Sequence, residues 1–406
     1  MEQLMEQMET VKNDGGMSWE MVKLDDLCRM NSGGTPSRSN LSFYNGEIPW
    51  AKISDIENAE GGVIQYTEEH ITAEGLASIN NRIFEKGTLL LAMYGSVGKV
   101  AFAGMEMTTN QAILGIKIKD ESKISYAYLK YWFQTIKEQL LNRAVGGTLQ
   151  NISLGIVKDL QIPLPPLPIQ KRIAEILDAA DALKRKDQEL LKKYDELAQA
   201  IFIDMFGDPV KNEKGWEAKK FQELGTLDRG VSKHRPRNAS ELLGGKYPLI
   251  QTGDVANSGG IITKYRSTYS EIGLKQSKMW SKGTLCITIA ANIAKTGILD
   301  FDACFPDSIV GFKPNDKVSN SVFVQFWIGF LQKILEDNAP ESAQKNINLE
   351  ILRGLDVICP PVELQNKFEK IIEQLNLVKS SNSNFVADNL FQTLIQKAFK
   401  GELVAE

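Results

Sequence analysis

Two short segments of this chain are similar to sites that hold phosphate or metal, and each lacks a residue that the chemistry needs. Gly95-Ser96-Val97-Gly98-Lys99 has the ending of a phosphate-binding loop. It lacks the first glycine of that motif, and Val100 stands where a serine or threonine must reach magnesium. Pro306-Asp307 with Lys313 has the start of a nuclease pattern, but Gly311 stands where the second acidic ligand belongs. The sequence therefore predicts neither nucleotide binding nor metal-dependent hydrolysis.

The other reactive residues also lack partners. The two histidines, His70 and His234, have no serine or cysteine partner in a local motif, which argues against a nucleophilic triad. The two Pro-Pro pairs follow Leu164 and Cys359, neither of which can hold a target amine as the Asn or Asp of an amino-methyltransferase does. We predict no reaction and no bound cofactor or metal for this chain alone.

Basic residues concentrate in two segments, although the formal net charge of the chain is −4. Residues 229–237 hold four basic side chains and no acid, and residues 260–282 hold five basic side chains against Glu271. Such segments indicate either a surface that binds a polyanion or an ordinary solvated surface, and composition alone leaves both readings open. The negative net charge argues against a simple nucleic-acid binder.

The chain is duplicated. Three segments recur in the same order at shifts of 197, 196 and 195 residues: Trp19-Glu20 as Trp216-Glu217, Gly87-Thr88-Leu89 as Gly283-Thr284-Leu285, and Pro165-Pro166 with Gln170 as Pro360-Pro361 with Gln365. Each copy far exceeds the roughly 20 to 50 residues of a solenoid repeat. Two unequal copies of one module most simply bind a target that has two unequal ends.

Size and composition predict a two-domain globular protein. The chain has 406 residues, and single cores stop growing at about 250 to 300 residues. No apolar run approaches the roughly 18 residues of a membrane span, and no signal peptide is predicted. The four cysteines lie far apart, which fits a reducing cytosol rather than a disulfide framework.

Each copy has the pattern of a mixed α/β domain followed by a long helix, so the predicted class is α+β. The predicted strands are Ile48–Ile53, Thr88–Tyr94, Val100–Ala103 and Ala112–Ile118 in the first copy, and Thr284–Ala290, Gly297–Phe301 and Ser308–Phe312 in the second. Helices are predicted over Tyr126–Leu141 and Val322–Leu335. The predicted segments are a leader (1–16), a first domain (17–162), a central helix (163–207), a second domain (208–357) and a C-terminal helix (358–406).

The two long helices carry apolar residues at alternating steps of four and three, which is the seam of a coiled coil. Prolines mark their starts, and Gly207 and Gly401 mark their ends. The matched polar breaks at Asp187 and Asn382 favour two helices that pack on each other as an antiparallel pair. The predicted interface residues are Ile173, Ile176, Ala180, Leu183, Asp187, Leu190, Phe368, Ile371, Leu375, Val378, Asn382 and Phe385.

Two variable modules, each closed by a Pro-Pro element and a long helix, resemble the specificity subunit of type I restriction-modification systems. The resemblance covers nearly all of residues 17–401, and the second copy departs from it at residues 290–295 and 306–308. The strings that carry it are Gly33–Ser37, Ile48–Ile56, Gly95–Lys99, Asn110-Gln111-Ala112, Gln150–Ser153, Leu164–Leu167 with Gln170, and Met205–Pro209.

The resemblance implies a non-catalytic chain with two target-recognition domains that read a split, asymmetric sequence of double-stranded DNA. It implies that the two helices set the gap between the half-sites and dock two modification subunits. Those subunits bring S-adenosylmethionine and methylate adenine, and a restriction subunit with ATP-driven translocation and magnesium joins them for cleavage. Because such partners hold much of the phosphate backbone, this chain is left mainly with the base contacts.

Comparing the two copies suggests which residues contact DNA. Positions that agree, such as Asp55 with Asp254, are expected to hold the scaffold or contact phosphate, whereas Lys52 against Gln251 is expected to read different bases. The competing interpretation of these residues is an ordinary exposed side chain. The candidates are Arg38, Lys52, Ser54, Ser96, Lys99, Asn110, Gln111, Arg229, Lys233, His234, Arg235, Arg237, Gln251, Lys264, Arg266, Asn292 and Lys295. Asn151, Ser153, Asn346 and Asn348 fit helix caps better than DNA ligands.

Two alternatives remain at this point. A stand-alone duplicated DNA-binding regulator would bind its site tightly without any partner at moderate salt. An enzyme with an unrecognised site would methylate adenine by itself when given S-adenosylmethionine.

The helix lengths generate a prediction. Residues 169–206 are 38 residues, about 57 Å of helix or somewhat over one and a half turns of DNA. Inserting one heptad into each long helix is expected to widen the gap by roughly 10 Å, about three base pairs. Methylome sequencing measures the gap, and an unchanged gap would rule out the helices as its determinant.

Overall fold

The structure, a computed structural model, describes residues 19–136, 152–290, 293–337, 347–381 and 384–404; for residues 333–337, 381 and 384–387 it describes the backbone only. The predicted leader, Asn292, Asn382 and the side chain of Phe385 lie outside the described residues. The chain divides into two compact units. Unit 1 comprises Met1–Gln188 with Ser383–Glu406, and unit 2 comprises Glu189–Asn382.

Among the described residues up to 163, unit 1 contains three sheets. Its strands are β1 (Met21–Lys23), β2 (Cys28–Ser32), β3 (Tyr44–Ala51), β4 (Val63–Ile64), β5 (Glu69–Ile71), β6 (Leu89–Ala92), β7 (Val100–Ala103), β8 (Thr108–Thr109), β9 (Ile113–Ile118) and β10 (Gln161–Pro163). Its short helices are α1 (Leu24–Leu27), α2 (Ile53–Glu57), α3 (Ala73–Ser78), α4 (Tyr126–Thr135) and α5 (Leu154–Lys158). The sheet orders are β2-β9-β6-β7-β4, β5-β3-β8 and β1-β10.

Helix α6 (Leu167–Phe206) has its first part in unit 1 and its last part in unit 2. The later strands are β11 (Ala218–Lys220), β12 (Gly225–Arg229), β13 (Leu243–Leu249), β14 (Ile261–Ile262), β15 (Ser267–Tyr269), β16 (Met279–Trp280), β17 (Leu285–Thr288), β18 (Thr296–Leu299), β19 (Ala303–Cys304), β20 (Ile309–Pro314) and β21 (Asp356–Ile358). The later helices are α7 (Thr252–Ala256), α8 (Glu271–Lys275), α9 (Ser321–Asp337), α10 (Leu349–Gly354), α11 (Val362–Ser381) and α12 (Asn384–Phe399).

The sheets of unit 2 repeat the topology of unit 1. Their orders are β12-β20-β17-β18-β14, β15-β13-β19-β16 and β11-β21. The central strands β6 and β17 are buried at every residue, which explains their unbroken apolar sequences. The predicted strand Val100–Ala103 has its predicted bounds, and the other predicted strands and the two predicted helices are present with shifted ends. The first of these helices is described over Tyr126–Thr135, and residues 137–141 of its predicted span lie outside the described residues. The α+β class with two mixed copies and long helices is confirmed.

The Pro-Pro…Gln motif fixes the start of each long helix. The buried side chain of Gln170 accepts a hydrogen bond from the Ser125 amide (3.0 Å) and donates to the Lys123 (2.7 Å) and Pro165 (2.8 Å) carbonyls. Gln365 makes the equivalent set of hydrogen bonds in unit 2. A buried amide side chain with all these partners links the helix to the preceding loop without leaving polar groups unsatisfied.

Within unit 1, α6 packs antiparallel to α12. Lys184 Nζ lies 2.5 Å from a carboxylate oxygen of Asp388, near the start of α12. At the other end of α12, the ring of Phe399 lies 5.0 Å from that of Tyr128, whose hydroxyl donates to the Pro163 carbonyl just before α6. Three α12 side chains enter the core of unit 1: Phe391, Ile395 and Ala398.

Within unit 2, the last part of α6 packs antiparallel to α11. Lys379 Nζ lies 2.5 Å from a carboxylate oxygen of Asp195, and the ring of Phe368 lies 5.4 Å from that of Phe206. Phe202 also packs on Phe368 and lies in the same buried cluster. The second long helix of the sequence prediction is described in two stretches, α11 in unit 2 and α12 in unit 1, on either side of residues 382–383, which lie outside the described range.

The predicted seam of α6 needs a correction at two of its six positions. Ile173 and Ala180 are buried and Asp187 is half-buried as expected, but Leu183 and Leu190 are 45% and 37% exposed. The inner face of α6 is instead formed by the residues that follow positions 176, 183, 190 and 197, and these residues are buried or half-buried: Leu177, Lys184, Leu191 and Ala198. On α11, Phe368 is buried and Ile371 and Leu375 are half-buried, whereas Val378 is 43% exposed.

The reason is that α6 carries two apolar stripes one residue apart, about 100° around the helix. Hydrophobicity alone does not separate them, because Ile176, Leu183 and Leu190 on one stripe match Leu177 and Leu191 on the other. The structure buries the second stripe because α6 packs on its own unit as well as on a helix.

In the described residues, no helix is both long and apolar enough to cross a membrane.

This register generates a prediction. Leu177→Ala removes a side chain with no exposed surface from the core of unit 1, and about 2 to 5 kcal/mol of unfolding free energy should be lost. Leu183→Ala is the matched control on the same helix and should change stability by about 0.5 kcal/mol or less. Thermal and urea unfolding measure both variants. Equal losses would mean that the inner face of α6 is assigned wrongly.

Candidate nucleic-acid interface

In each unit, a glycine directly after the first long strand, β2 or β12, lets the next loop pack against the sheet. These two loops carry the candidate residues Arg38 and Arg237. Gly33 donates to the Ile113 carbonyl (3.1 Å) and Gly230 donates to the Ile309 carbonyl (2.9 Å). A Cβ on Gly33 would overlap the backbone oxygens of residues 109 and 110, and one on Gly230 would overlap those of residues 305 and 306. Only glycine permits this close approach, which explains the Gly-Gly-Thr string of the first copy.

In unit 1, a buried carboxylate organises the start of α2. Asp55 accepts hydrogen bonds from the amides of Lys52 (2.6 Å) and Glu68 (3.2 Å). It therefore ties the N-terminus of α2 to the segment that leads into β5. Lys52 extends from this N-cap position, with its Nζ 3.3 Å from Glu68 and 2.9 Å from Glu69.

Arg38 joins this cluster from the loop after β2. Its guanidinium donates one hydrogen bond to the Glu69 carboxylate, from Nη2 (3.2 Å), and its Nη1 forms an ion pair with the other carboxylate oxygen at 2.8 Å. The guanidinium carbon also lies 4.5 Å from the ring centre of Tyr44 and 5.1 Å from that of Trp50. The two rings and the carboxylate hold the planar group in one orientation.

Arg38, Lys52 and Glu69 stabilise one another's charged forms. The hydrogen bond from Arg38 holds the pKa of the Glu69 carboxyl below its usual value, with Lys52 adding to the effect. The hydrogen bond to Glu69 likewise raises the pKa of Lys52 and of Arg38. The Glu69 carboxylate therefore loses its charge only at a pH below the usual range for glutamate.

Further candidate residues of unit 1 surround α2. Gln111 accepts a hydrogen bond from the Thr35 hydroxyl, and the Asn110 amide donates to the Ala51 carbonyl (3.0 Å). Ser96 donates to Glu57 at the end of α2. Ser54 is half-buried within α2, and Lys99 is exposed after the β6–β7 turn.

In unit 2, two arginines of the basic loop after β12 pair with the same carboxylate. Arg237 lies 2.5 Å and Arg235 3.7 Å from the carboxylate oxygens of Asp307. The backbone amides of Lys233 (2.7 Å) and His234 (3.0 Å) donate to the side chain of Gln276. The loop is thus held by specific contacts, and two of its cations, Arg235 and Arg237, pair with Asp307.

The start of α7 in unit 2 repeats the Asp55 arrangement with different neighbours. Asp254 accepts from the Gln251 amide (2.9 Å) and lies 3.7 Å from Arg266 Nε. The Gln251 side chain lies 3.5 Å from the Ser267 hydroxyl, where unit 1 has Lys52 beside Glu69. The same scaffold therefore carries charged groups in one unit and an amide with a hydroxyl in the other.

Three candidates of unit 2 lie elsewhere. Arg229 is exposed at the end of β12, and Lys264 is exposed in the segment before β15. Lys295 lies 3.3 Å from Gln332 of α9, beside a cavity of about 500 Å³ that also borders α6 and α11. Asn292 lies outside the described residues.

An open groove in unit 1 adjoins the charged cluster. Its volume is about 380 Å³, and it is lined by Arg38, Leu41, Tyr44, Asn45, Gly46, Glu68, Glu69 and His70. The larger cavity near Lys295 borders the helices rather than this cluster. The groove therefore combines anionic, cationic and aromatic groups beside the exposed Arg38.

The sequence prediction omitted the carboxylates that hold the cations. Glu68 and Glu69 were not identified, and Asp307 was considered only as a nuclease residue. One signal was available for the arginines: Arg237 follows Arg38 by 199 residues, the same shift that relates Lys52 to Gln251.

The family follows from the comparison of the chain with known proteins. A family model described as the type I restriction modification DNA specificity domain matches residues 17–193 and again residues 213–383. The chain belongs to this family. The resemblance drawn from the sequence is confirmed, and the family model recognises both copies.

Among its relatives are the MjaIX specificity subunit of Methanocaldococcus jannaschii and the EcoBI specificity subunit of Escherichia coli. The first is 25% identical over 96% of this chain and 94% of its own length, and the second is 23% identical over 96% and 87%. A crystal structure of an S subunit from M. genitalium has a TM-score of 0.54 at 17% identity, covering 96% of this chain and 97% of that one. That likeness shows a shared fold.

The Asp55 cap generates a prediction. Asp55→Ala leaves the Lys52 and Glu68 amides without their acceptor, which should cost about 1 to 3 kcal/mol. Hydrogen exchange should quicken at those two amides. The matched control is Glu60→Ala, at an exposed carboxylate nearby. Unchanged exchange at Glu68 in Asp55→Ala would contradict the assigned contact.

Proposed function

We propose that this chain is the DNA specificity subunit of a type I restriction-modification complex and that each of its two units reads one half of an asymmetric, interrupted site. The observation that carries the proposal is the matched pair of scaffolds around Asp55 and Asp254, which present different side chains at equivalent positions. Equivalent backbones with different donors and acceptors are suited to two different base sequences.

The charge distribution supports a base-reading role more than a phosphate-binding role. Four of the candidate cations are paired with carboxylates: Arg38 and Lys52 with Glu69, and Arg235 and Arg237 with Asp307. With a net charge of −4, the chain has little excess positive charge for non-specific binding. Partner subunits would supply much of the phosphate contact.

We propose that chemistry and cofactors belong to those partners. Two modification subunits would bring S-adenosylmethionine, and restriction subunits would bring ATP and magnesium. The long helices α6, α11 and α12 are the proposed docking elements. The chain would act in the cytoplasm, and its four free cysteines fit a reducing compartment.

A domain exchange tests this function. Replacing residues 213–350 by the matching region of a relative should change one half-site and leave the other unchanged, because each unit has its own cores and site. Methylome sequencing of cells that express the hybrid with its modification subunit measures both half-sites.

Two results would contradict the proposal. A change in both half-sites would mean that the units do not read independently. Tight specific binding by the isolated chain, unaffected by a modification subunit, would instead favour a stand-alone regulator.

A further inference from the structure

The two units place one arginine each at an equivalent position. Arg38 and Arg237 both stand three residues before a short 3₁₀ turn, Leu41–Phe43 in unit 1 and Ser240–Leu242 in unit 2. Equivalent backbone hydrogen bonds precede the two turns, from Asn40 to Ser37 and from Ala239 to Pro236. The two loops differ in length before this point, and from Arg38 and Arg237 onwards the two copies are related by a shift of 199 residues, as Lys52 and Gln251 are.

Each arginine is held by a carboxylate, but the carboxylate comes from a different element in each unit. Glu69 on β5 pairs in register with Trp50, and the equivalent residue of β15, Ser267, pairs with Leu249. Asp307 lies in the turn before β20, and the turn before β9 has Gln111 at the equivalent place. At the two equivalent positions, unit 1 thus has Glu69 and Gln111, and unit 2 has Ser267 and Asp307.

Stability does not explain why both units have such a pair. The side chains are well exposed, at 56% for Arg38 and 45% for Arg237. Ion pairs at this exposure contribute little to stability, because water screens the two charges. Orientation is the stronger effect, because a carboxylate fixes the plane of a guanidinium and leaves its remaining N–H groups for another acceptor.

A carboxylate beside an arginine also makes a DNA phosphate a less favourable partner for that arginine. A free guanidinium near DNA is attracted to phosphate, which carries no sequence information. The carboxylate repels phosphate and neutralises the arginine, so a neutral base edge becomes the better acceptor. The O6 and N7 atoms of guanine match the arginine fork.

We propose that Arg38 and Arg237 each read a guanine in their half-site, and that Glu69 and Asp307 are the positioning residues that aim them. This inference rests on the proposed function and adds to it the identity of one base per half-site. The groove of about 380 Å³ beside Arg38 leaves its guanidinium open to a ligand in unit 1.

The experiment uses the full chain expressed with its modification subunit, and methylome sequencing is the measurement. Glu69→Ser should reduce the preference for G·C at one position of one half-site by roughly tenfold or more. Glu60→Ser is the matched control: it removes the same charge from an exposed residue outside the charged cluster and outside the groove lining. Its motif should be unchanged.

A relocation variant separates positioning from charge and from folding. Glu69→Ser with Gln111→Asp moves the carboxylate to the element that supplies it in unit 2, and the lost preference should return. Arg38→Lys keeps the charge without the fork and should lose preference at the same position as Glu69→Ser.

Several outcomes overturn the inference. It fails if Glu69→Ser gives the same motif as Glu60→Ser, if the double variant does not restore the preference, or if the affected base pair is not G·C. If Glu69→Ser abolishes methylation altogether, the double variant and Arg38→Lys decide the matter. If the unaltered chain directs no bipartite methylation, the proposed function itself fails.

Discussion

The rest of the structure depends on the packing of the long helices into the cores of the two units. Phe391, Ile395 and Ala398 come from the C-terminal end of the chain and complete the core of unit 1. Phe202 and Phe206 at the end of α6 enter the core of unit 2 together with Phe368. Such aromatic and aliphatic burial is the dominant favourable contribution to folding, so neither unit is independent of its helices.

The two units present different exposed side chains on the same buried scaffold. The buried glutamines Gln170 and Gln365 make the same hydrogen bonds, and the carboxylates Asp55 and Asp254 cap equivalent helices. Around these fixed points the side chains differ. A scaffold that keeps its buried polar groups satisfied can change its exposed groups at little cost in stability, and recognition of two different half-sites requires such a change.

Much of the fold could be predicted from the sequence because its signals are local. Val100–Ala103 was predicted with its observed bounds, Pro165-Pro166 marks the start of α6, and Gly207 ends it with a positive φ of 80°. The inner face of α6 could not be predicted, since two apolar stripes compete and packing on the rest of each unit decides between them. That choice depends on contacts between residues far apart in sequence.

The candidate site was predictable only in part for the same reason. Arg38 and Arg237 belong to recognisable basic or polar loops, so residue type identified them. Glu69 is 31 residues from Arg38, and the two meet only through the register of β3 and β5. Asp307 is 70 residues from Arg237. A single sequence gives no sign of such pairings.

The most direct test of the account is methylome sequencing of cells that express the unaltered chain with its modification subunit. Two dissimilar units predict adenine methylation at one interrupted sequence whose two halves differ. A continuous site, a symmetric site, or methylation that does not depend on this chain would contradict the account.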